Sequence, residues 1–149
     1  MVDTLIVVLA NGVYDFFHYG HLVHLQQAKT YGDILIVGVA SDEHVHAMKG
    51  DGHPYFKLHQ RMDMLRALAI VDDVLEAKSA EEIIRRVKPN IYVKGLEYQF
   101  RLKEQALVES LGGRVMFTCH DEGSLIKSGV VIPKYKQYAE AAAEKDKHL

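Results

Sequence analysis

Short, unbroken apolar runs alternate with segments of helical periodicity along most of this chain, and that rhythm restricts its fold more than any other feature. A strand without polar alternation is buried on both faces, which is the situation inside a parallel sheet. Residues 5–10 form the first such run, rich in β-branched side chains, and Gly12 is expected to break it. Leu22, Leu25, Ala28 and Lys29 then recur at helical spacing, with Gly32 placed as the helix C-cap. Residues 34–40 read as a second strand. Ser41, followed by Asp42 and Glu43, caps a short helix, and residues 49–54, which hold Gly50, Gly52 and Pro54, read as a loop.

The order then repeats. Leu58, Met62, Leu65, Leu68 and Ala69 mark a helix, and residues 71–74 lead into a third strand. Ser79 and Glu82 form a capping box for a helix that runs to Val87 and is ended by Pro89. Residues 91–93 read as a fourth strand, 101–111 as a helix ending at Gly112 and Gly113, and 115–118 as a fifth strand. Strands that alternate with helices in this way imply an α/β fold, a Rossmann-like α/β/α sandwich with a five-stranded parallel sheet. With 149 residues there is room for one well-buried core, so residues 1–133 read as one domain. Residues 134–149, rich in Ala, Glu and Lys, read as a helical tail, either solvated or packed in a homodimer.

Eighteen basic against twenty acidic side chains give a formal net charge of -2, so nothing global draws the chain to nucleic acid or to an anionic membrane. Any anion must be held locally. The single cysteine, Cys119, cannot form an intramolecular disulfide and reads as a buried thiol in a reducing compartment. No apolar run approaches the roughly 18–20 residues that span a bilayer. The run at residues 5–9 is also too short for a signal-peptide core, so a cytoplasmic location is expected.

In open parallel sheets ligands sit outside the carboxyl ends of the strands, where the winding reverses. The loop after the first strand is Asn11-Gly12-Val13-Tyr14-Asp15-Phe16-Phe17-His18-Tyr19-Gly20-His21, and it runs straight into a helix. Backbone N–H groups at a helix N-terminus favour an anion, and a polyphosphate is the natural guest. Taken singly, Gly12 is a turn residue, Asp15 a loop cap, and His18 with His21 a surface pair. Together at one strand-to-helix junction they point to a site.

The string from Gly12 to His21 resembles the nucleotidyltransferase signature that joins a glycine and an aspartate to a histidine-x-glycine-histidine motif, with Tyr14 where phenylalanine is usual. Cytidylyltransferases, adenylyltransferases and class I aminoacyl-tRNA synthetases share it. The resemblance implies that His18 and His21 contact the nucleotide phosphates and stabilise the transition state, with Asn11, Gly12, Tyr14, Asp15 and Gly20 around the nucleotide. Further stretches are similar to the nucleotidyltransferase half of bacterial bifunctional heptose kinase/ADP-heptose synthases: residues 48–54, Gln60-Arg61, Val71-Asp72, Lys94-Gly95-Leu96-Glu97-Tyr98 and Gly112-Gly113-Arg114-Val115. The similarity runs over roughly residues 5–118. Glycerol-phosphate cytidylyltransferases and FMN adenylyltransferases share the general plan.

By that resemblance Lys49 clamps the phosphates of both substrates from a mobile loop, a task suited to an ammonium on a flexible stem. Arg61 is either an exposed helix residue or a further phosphate contact, and Lys94, Gly95, Glu97 and the loop before Ser124 are expected near the base. The family's hydroxyl-rich segment, which binds the triphosphate, is reduced here to Ser124, with Lys127 and Ser128 as partial substitutes. His18, His21 and His24 do not share one helix face, so no protein-held metal site is expected, whereas Mg²⁺ is expected to accompany the nucleotide. The implied reaction moves a nucleoside monophosphate from ATP or CTP to a sugar or polyol phosphate and releases pyrophosphate. The alternatives are a glycerol-3-phosphate cytidylyltransferase or an FMN adenylyltransferase and, further, a non-catalytic nucleotide-binding protein that has lost the hydroxyl segment.

Overall fold

The computed structural model describes residues 4–119. Within them run β1 (Val7–Gly12), α1 (Tyr19–Lys29), β2 (Ile34–Ala40), α2 (Asp42–Lys49), α3 (Leu58–Arg66), β3 (Asp73–Ala77), α4 (Ala80–Val87), β4 (Ile91–Gly95), a 3-10 turn (Leu96–Tyr98), α5 (Gln105–Ser110) and β5 (Arg114–Thr118). Every ladder is parallel and the strand order is β3-β2-β1-β4-β5. The α/β sheet read from the apolar runs is therefore the fold. Ser124, Lys127, Ser128 and the expected tail at 134–149 lie outside the described residues.

The chain winds from β1 outward to β3, then returns to the far side of β1 for β4 and β5. Because parallel crossovers keep one hand, this reversal puts helices on both faces. Val8 and Ala10 pack with Leu25 and Ala28 of α1 and Leu65 of α3. Leu9, pointing the other way, packs with Ile83 and Ile84 of α4 and Val108 of α5. That alternation inside one apolar run is the period-two geometry of a strand buried on both sides. No described helix is long and apolar enough to cross a membrane.

Local signals acted as their chemistry requires. Ser41 Oγ accepts the His44 N–H at 3.2 Å, and Ser79 Oγ accepts the Glu82 N–H at 3.0 Å. The return bond of the second cap falls one residue early, because Glu82 accepts the Lys78 N–H.

Four local readings need correction. Gly12 does not break β1: the ladder to β2 continues through Asn11↔Gly38 and Gly12↔Val39 after pairing with β4 has stopped at Ala10↔Val93. Gly32 is not the C-cap of α1, a place taken by Thr30. It lies where a Cβ would come 2.7 Å from the Ile6 carbonyl oxygen, so close chain approach, not helix termination, demands glycine. The helix expected at 101–111 begins only at Gln105, since the Arg101 N–H still bonds back to the Tyr98 carbonyl of the preceding turn. Cys119 is exposed, because it lies one residue beyond β5, whose last residue, Thr118, turns inward.

Candidate active site

The winding reversal leaves a crevice between the carboxyl ends of β1 and β4, and the loop after β1 is built to hold α1 against it. Tyr14 and Phe16 both occupy the left-handed region, at φ 55° and 52°, which costs a bulky residue roughly 1–3 kcal/mol and persists only where surroundings enforce it. Each neighbour is tied down. The Val13 carbonyl accepts from Arg61 Nη1 at 2.8 Å, and the Tyr14 hydroxyl donates to the Ala10 carbonyl at 3.3 Å. Asp15, itself buried, accepts the Tyr55 and Phe56 N–H groups at 2.7 and 3.0 Å. The Phe16 ring lies 4.8 Å from that of Tyr55 and 5.0 Å from that of Phe56. Gly12 has no side chain to displace the Tyr14 ring, whose nearest atom would stand 3.0 Å from an added Cβ.

This strained loop delivers His18 to the N-cap of α1. Its Nδ1 accepts the Gly20 N–H at 3.1 Å, while His21 Nδ1 accepts the His18 N–H at 3.2 Å. The two rings stack with centroids 3.8 Å apart. An imidazole whose Nδ1 is an acceptor carries its proton on Nε2, so both rings are neutral donors through Nε2–H. Electrostatics keep them so. Burial lowers the pKa of His18, and burial, then the neighbouring His18, His24 and Lys49, pushes His21 down to about 3. A cap that ordinarily uses a hydroxyl or carboxylate here uses two stacked imidazoles, leaving two N–H donors at the positive end of a helix.

Two lysines add charge. Lys49 is the last residue of α2, not part of the loop, and Gly50 ends that helix at φ 84°, a backbone few side chains adopt. Its exposed ammonium is near enough to help keep His21 neutral. Lys94 Nζ bridges the two strand ends by donating to the Asn11 carbonyl at 3.1 Å and lies 5.3 Å from the centre of the Tyr98 ring. Burial lowers its pKa, against the opposing influence of Glu104 and Glu97. Glu97 folds back so that its carboxylate lies against Gly95, where a Cβ would collide with it. Burial, then the Glu104 carboxylate, raises the pKa of Tyr92, and neither its buried hydroxyl nor Asn11 Oδ1 has a hydrogen-bond partner among the described residues.

His18, Gly20 and His21 thus meet at the start of α1 with Lys49 acting on His21, and Lys94, Gly95 and Glu97 meet at the end of β4 with Lys94 tied to Asn11 at the end of β1, whereas three expected contacts are buried elsewhere. Tyr14 and Asp15 are buried in the loop's own packing. Arg61 is 1% exposed, and its guanidinium donates to the Phe56 carbonyl at 3.0 Å, the Val13 carbonyl at 2.8 Å and the Asp42 carboxylate at 2.7 Å. All three hold the loop that holds the histidines. Sequence reasoning missed the bond between His24 Nδ1 and Thr118 Oγ1, 2.7 Å long across 94 positions, because nothing local pairs those residues. Among the described residues no group of three His, Cys, Asp or Glu side chains could hold a metal ion.

Comparison with known proteins agrees with this geometry. A family model described as cytidylyltransferase-like matches residues 9–141. The bifunctional protein HldE of Desulfatibacillum aliphaticivorans is 37% identical over 113 residues, covering 74% of this chain and 23% of that protein. HldE of Shewanella loihica is 47% identical over 94 residues, covering 62% and 20%. The chain therefore spans about a quarter of the length of such relatives or less. The crystal structure of a lipopolysaccharide core biosynthesis protein from Thermoplasma volcanium superposes with a TM-score of 0.65 at 29% identity, covering 79% of this chain and all of that one. Matched over most of its length and built around the motif at His18 and His21, the chain belongs to the cytidylyltransferase-like family.

Proposed function

We propose that this chain is a nucleotidyltransferase that moves a nucleoside monophosphate from ATP or CTP to the phosphate of a sugar or polyol, in the cytoplasm and as a homodimer. The observation that carries the reading is the reciprocal imidazole cap, which aims two neutral N–H donors from a helix N-terminus into the switch-point crevice. The resemblance of residues 5–118 to the nucleotidyltransferase half of bifunctional heptose kinase/ADP-heptose synthases supports the acceptor class, since such a synthase makes a nucleotide-activated sugar.

In the proposed reaction an acceptor phosphate oxygen attacks the α-phosphorus in line. A new oxygen–phosphorus bond forms, the bond from the α-phosphorus to the bridging oxygen breaks, and its electron pair leaves with pyrophosphate. No protein nucleophile is required, so positioning and charge stabilisation do the catalysis. His18 and His21 donate through Nε2–H to the phosphate oxygens as negative charge shifts toward the leaving group. Lys49 spans the acceptor and α-phosphates. Lys94, Gly95 and Glu97 border the base, and Ser124 belongs with the triphosphate. Mg²⁺ would be held by the triphosphate itself, since the described residues offer no ligand cluster for it. It would screen the triphosphate's charge.

The test is product identification. Each of ATP and CTP is incubated with heptose phosphate, glycerol phosphate or FMN, and the products are read by mass spectrometry. A nucleotide-activated sugar supports the reading. CDP-glycerol as the sole product narrows the acceptor to a polyol phosphate, and FAD as the sole product moves the assignment to an FMN adenylyltransferase. Tight nucleotide binding without any product identifies a non-catalytic nucleotide-binding protein.

A further inference from the structure

Three consecutive residues at the end of β5 and just beyond it are held by α1 and the turn that follows it. Tyr31 donates its hydroxyl to the Phe117 carbonyl at 3.2 Å, His24 Nδ1 meets Thr118 Oγ1 at 2.7 Å, and the Cys119 N–H donates to Gln27 Oε1 at 3.0 Å. Positions 24 and 27 are three apart on α1 and fall on one side of it, and Tyr31 follows just past the helix C-cap, Thr30. Of the three, the His24 bond is the one made between two side chains, and both partners adjoin residues of the candidate site. His24 lies one turn beyond His21 and acts electrostatically on it. Thr118, 1% exposed, is the ladder partner of Gly95, the residue after Lys94.

We propose that His24 and Thr118 are positioning residues: their bond fixes the distance between the histidine pair on α1 and the strand ends that carry Lys94 and Gly95. The inference rests on the reading of the crevice as a nucleotide site, but the bond itself has a readout free of that reading. Thr118 is buried and His24 half-buried. Their effect passes through His21 on one side and Gly95 on the other. Loss of the single Thr118 hydroxyl removes this bond and leaves the flanking Tyr31 and Gln27 bonds in place, so it isolates the contribution of His24.

Three variants separate positioning from general stability. Thr118→Val keeps shape and removes the hydroxyl. His24→Asn sets an amide atom where Nδ1 stands, whereas His24→Gln sets one where Nε2 stands. Imidazole ¹⁵N spectra of His18 and His21 are recorded for each, together with the melting temperature and turnover with ATP and CTP. The account expects Thr118→Val and His24→Gln to shift the His21 resonances and lower kcat tenfold or more at similar melting temperature, and His24→Asn to restore both. Unchanged His21 resonances in Thr118→Val, or equal behaviour of the Asn and Gln variants, would overturn the proposal. If the unmodified chain turned over neither nucleotide, the functional reading would fail, and the His21 resonances alone would decide the positioning role.

Discussion

Replacing Arg61 by Met distinguishes a phosphate ligand from a fold-building cation. The side chain is 1% exposed, and three of its nitrogens donate to internal acceptors on the motif loop, on the chain entering α3 and on the start of α2. Each hydrogen bond from a charged group contributes about 1.5–3 kcal/mol when made, and partial relaxation with entry of water returns some of that on removal. Breaking a buried ion pair from one side costs about 3–5 kcal/mol, and the same figure suits this network because Asp42 is half-exposed and rehydrates. In a chain of this size that loss lowers the melting temperature by roughly 6–20 °C. Urea unfolding followed by far-ultraviolet circular dichroism measures the midpoint, and calorimetric titration with ATP and CTP measures affinity under conditions where the variant is folded. Arg61→Lys, which keeps one donor, should fall between the wild type and Arg61→Met. A variant that keeps its stability within about 1 kcal/mol but loses nucleotide affinity would refute the reasoning and make Arg61 a direct phosphate contact.

Other outcomes follow from the same site. His21 has a folded pKa of about 3 against 6.5 for the free side chain, so between those values the unfolded chain holds a proton that the folded chain lacks. Stability is therefore complete above pH 6.5 and declines as pH falls, by at most about 2 kcal/mol on going to pH 5; urea midpoints at the two pH values check this, and a His21→Gln variant should flatten the slope. Lys49→Ala should reduce turnover strongly while weakening NTP binding much less, and Lys49→Arg should not restore it, because a planar fork does not reproduce a compact ammonium between two phosphates. Calorimetry beside turnover measurements reads both effects. Asp15→Ala should cost about 2–4 kcal/mol through the unpaired Tyr55 and Phe56 N–H groups, measured by urea unfolding, without any role in phosphate contact.

The sheet was legible because a strand buried on both faces leaves an unbroken apolar run, and β2 falls at residues 34–40 as the sequence predicts. The site's centre was legible for a local reason too: His18, Gly20 and His21 must be neighbours in sequence to cap one helix turn. What escaped was long-range and carried by backbone. Asp15 looks like a ligand-facing carboxylate, but its partners are main-chain N–H groups forty positions away, which no residue type announces. Arg61 likewise reads as a phosphate contact because its two carbonyl acceptors are anonymous in sequence. Gly32 shows the same limit, since a helix cap and a close chain crossing both ask for glycine.

Pyrophosphate release tests the central claim most directly. With ATP or CTP and an accepted sugar phosphate, His18→Ala and His21→Ala should each turn over at least about 100-fold more slowly than the unmodified chain, the loss expected when one transition-state donor worth roughly 3 kcal/mol is removed. Circular dichroism should show both variants folded. Near-wild-type turnover in either variant would contradict the assignment of the imidazole pair as the donors that stabilise the transferring phosphate.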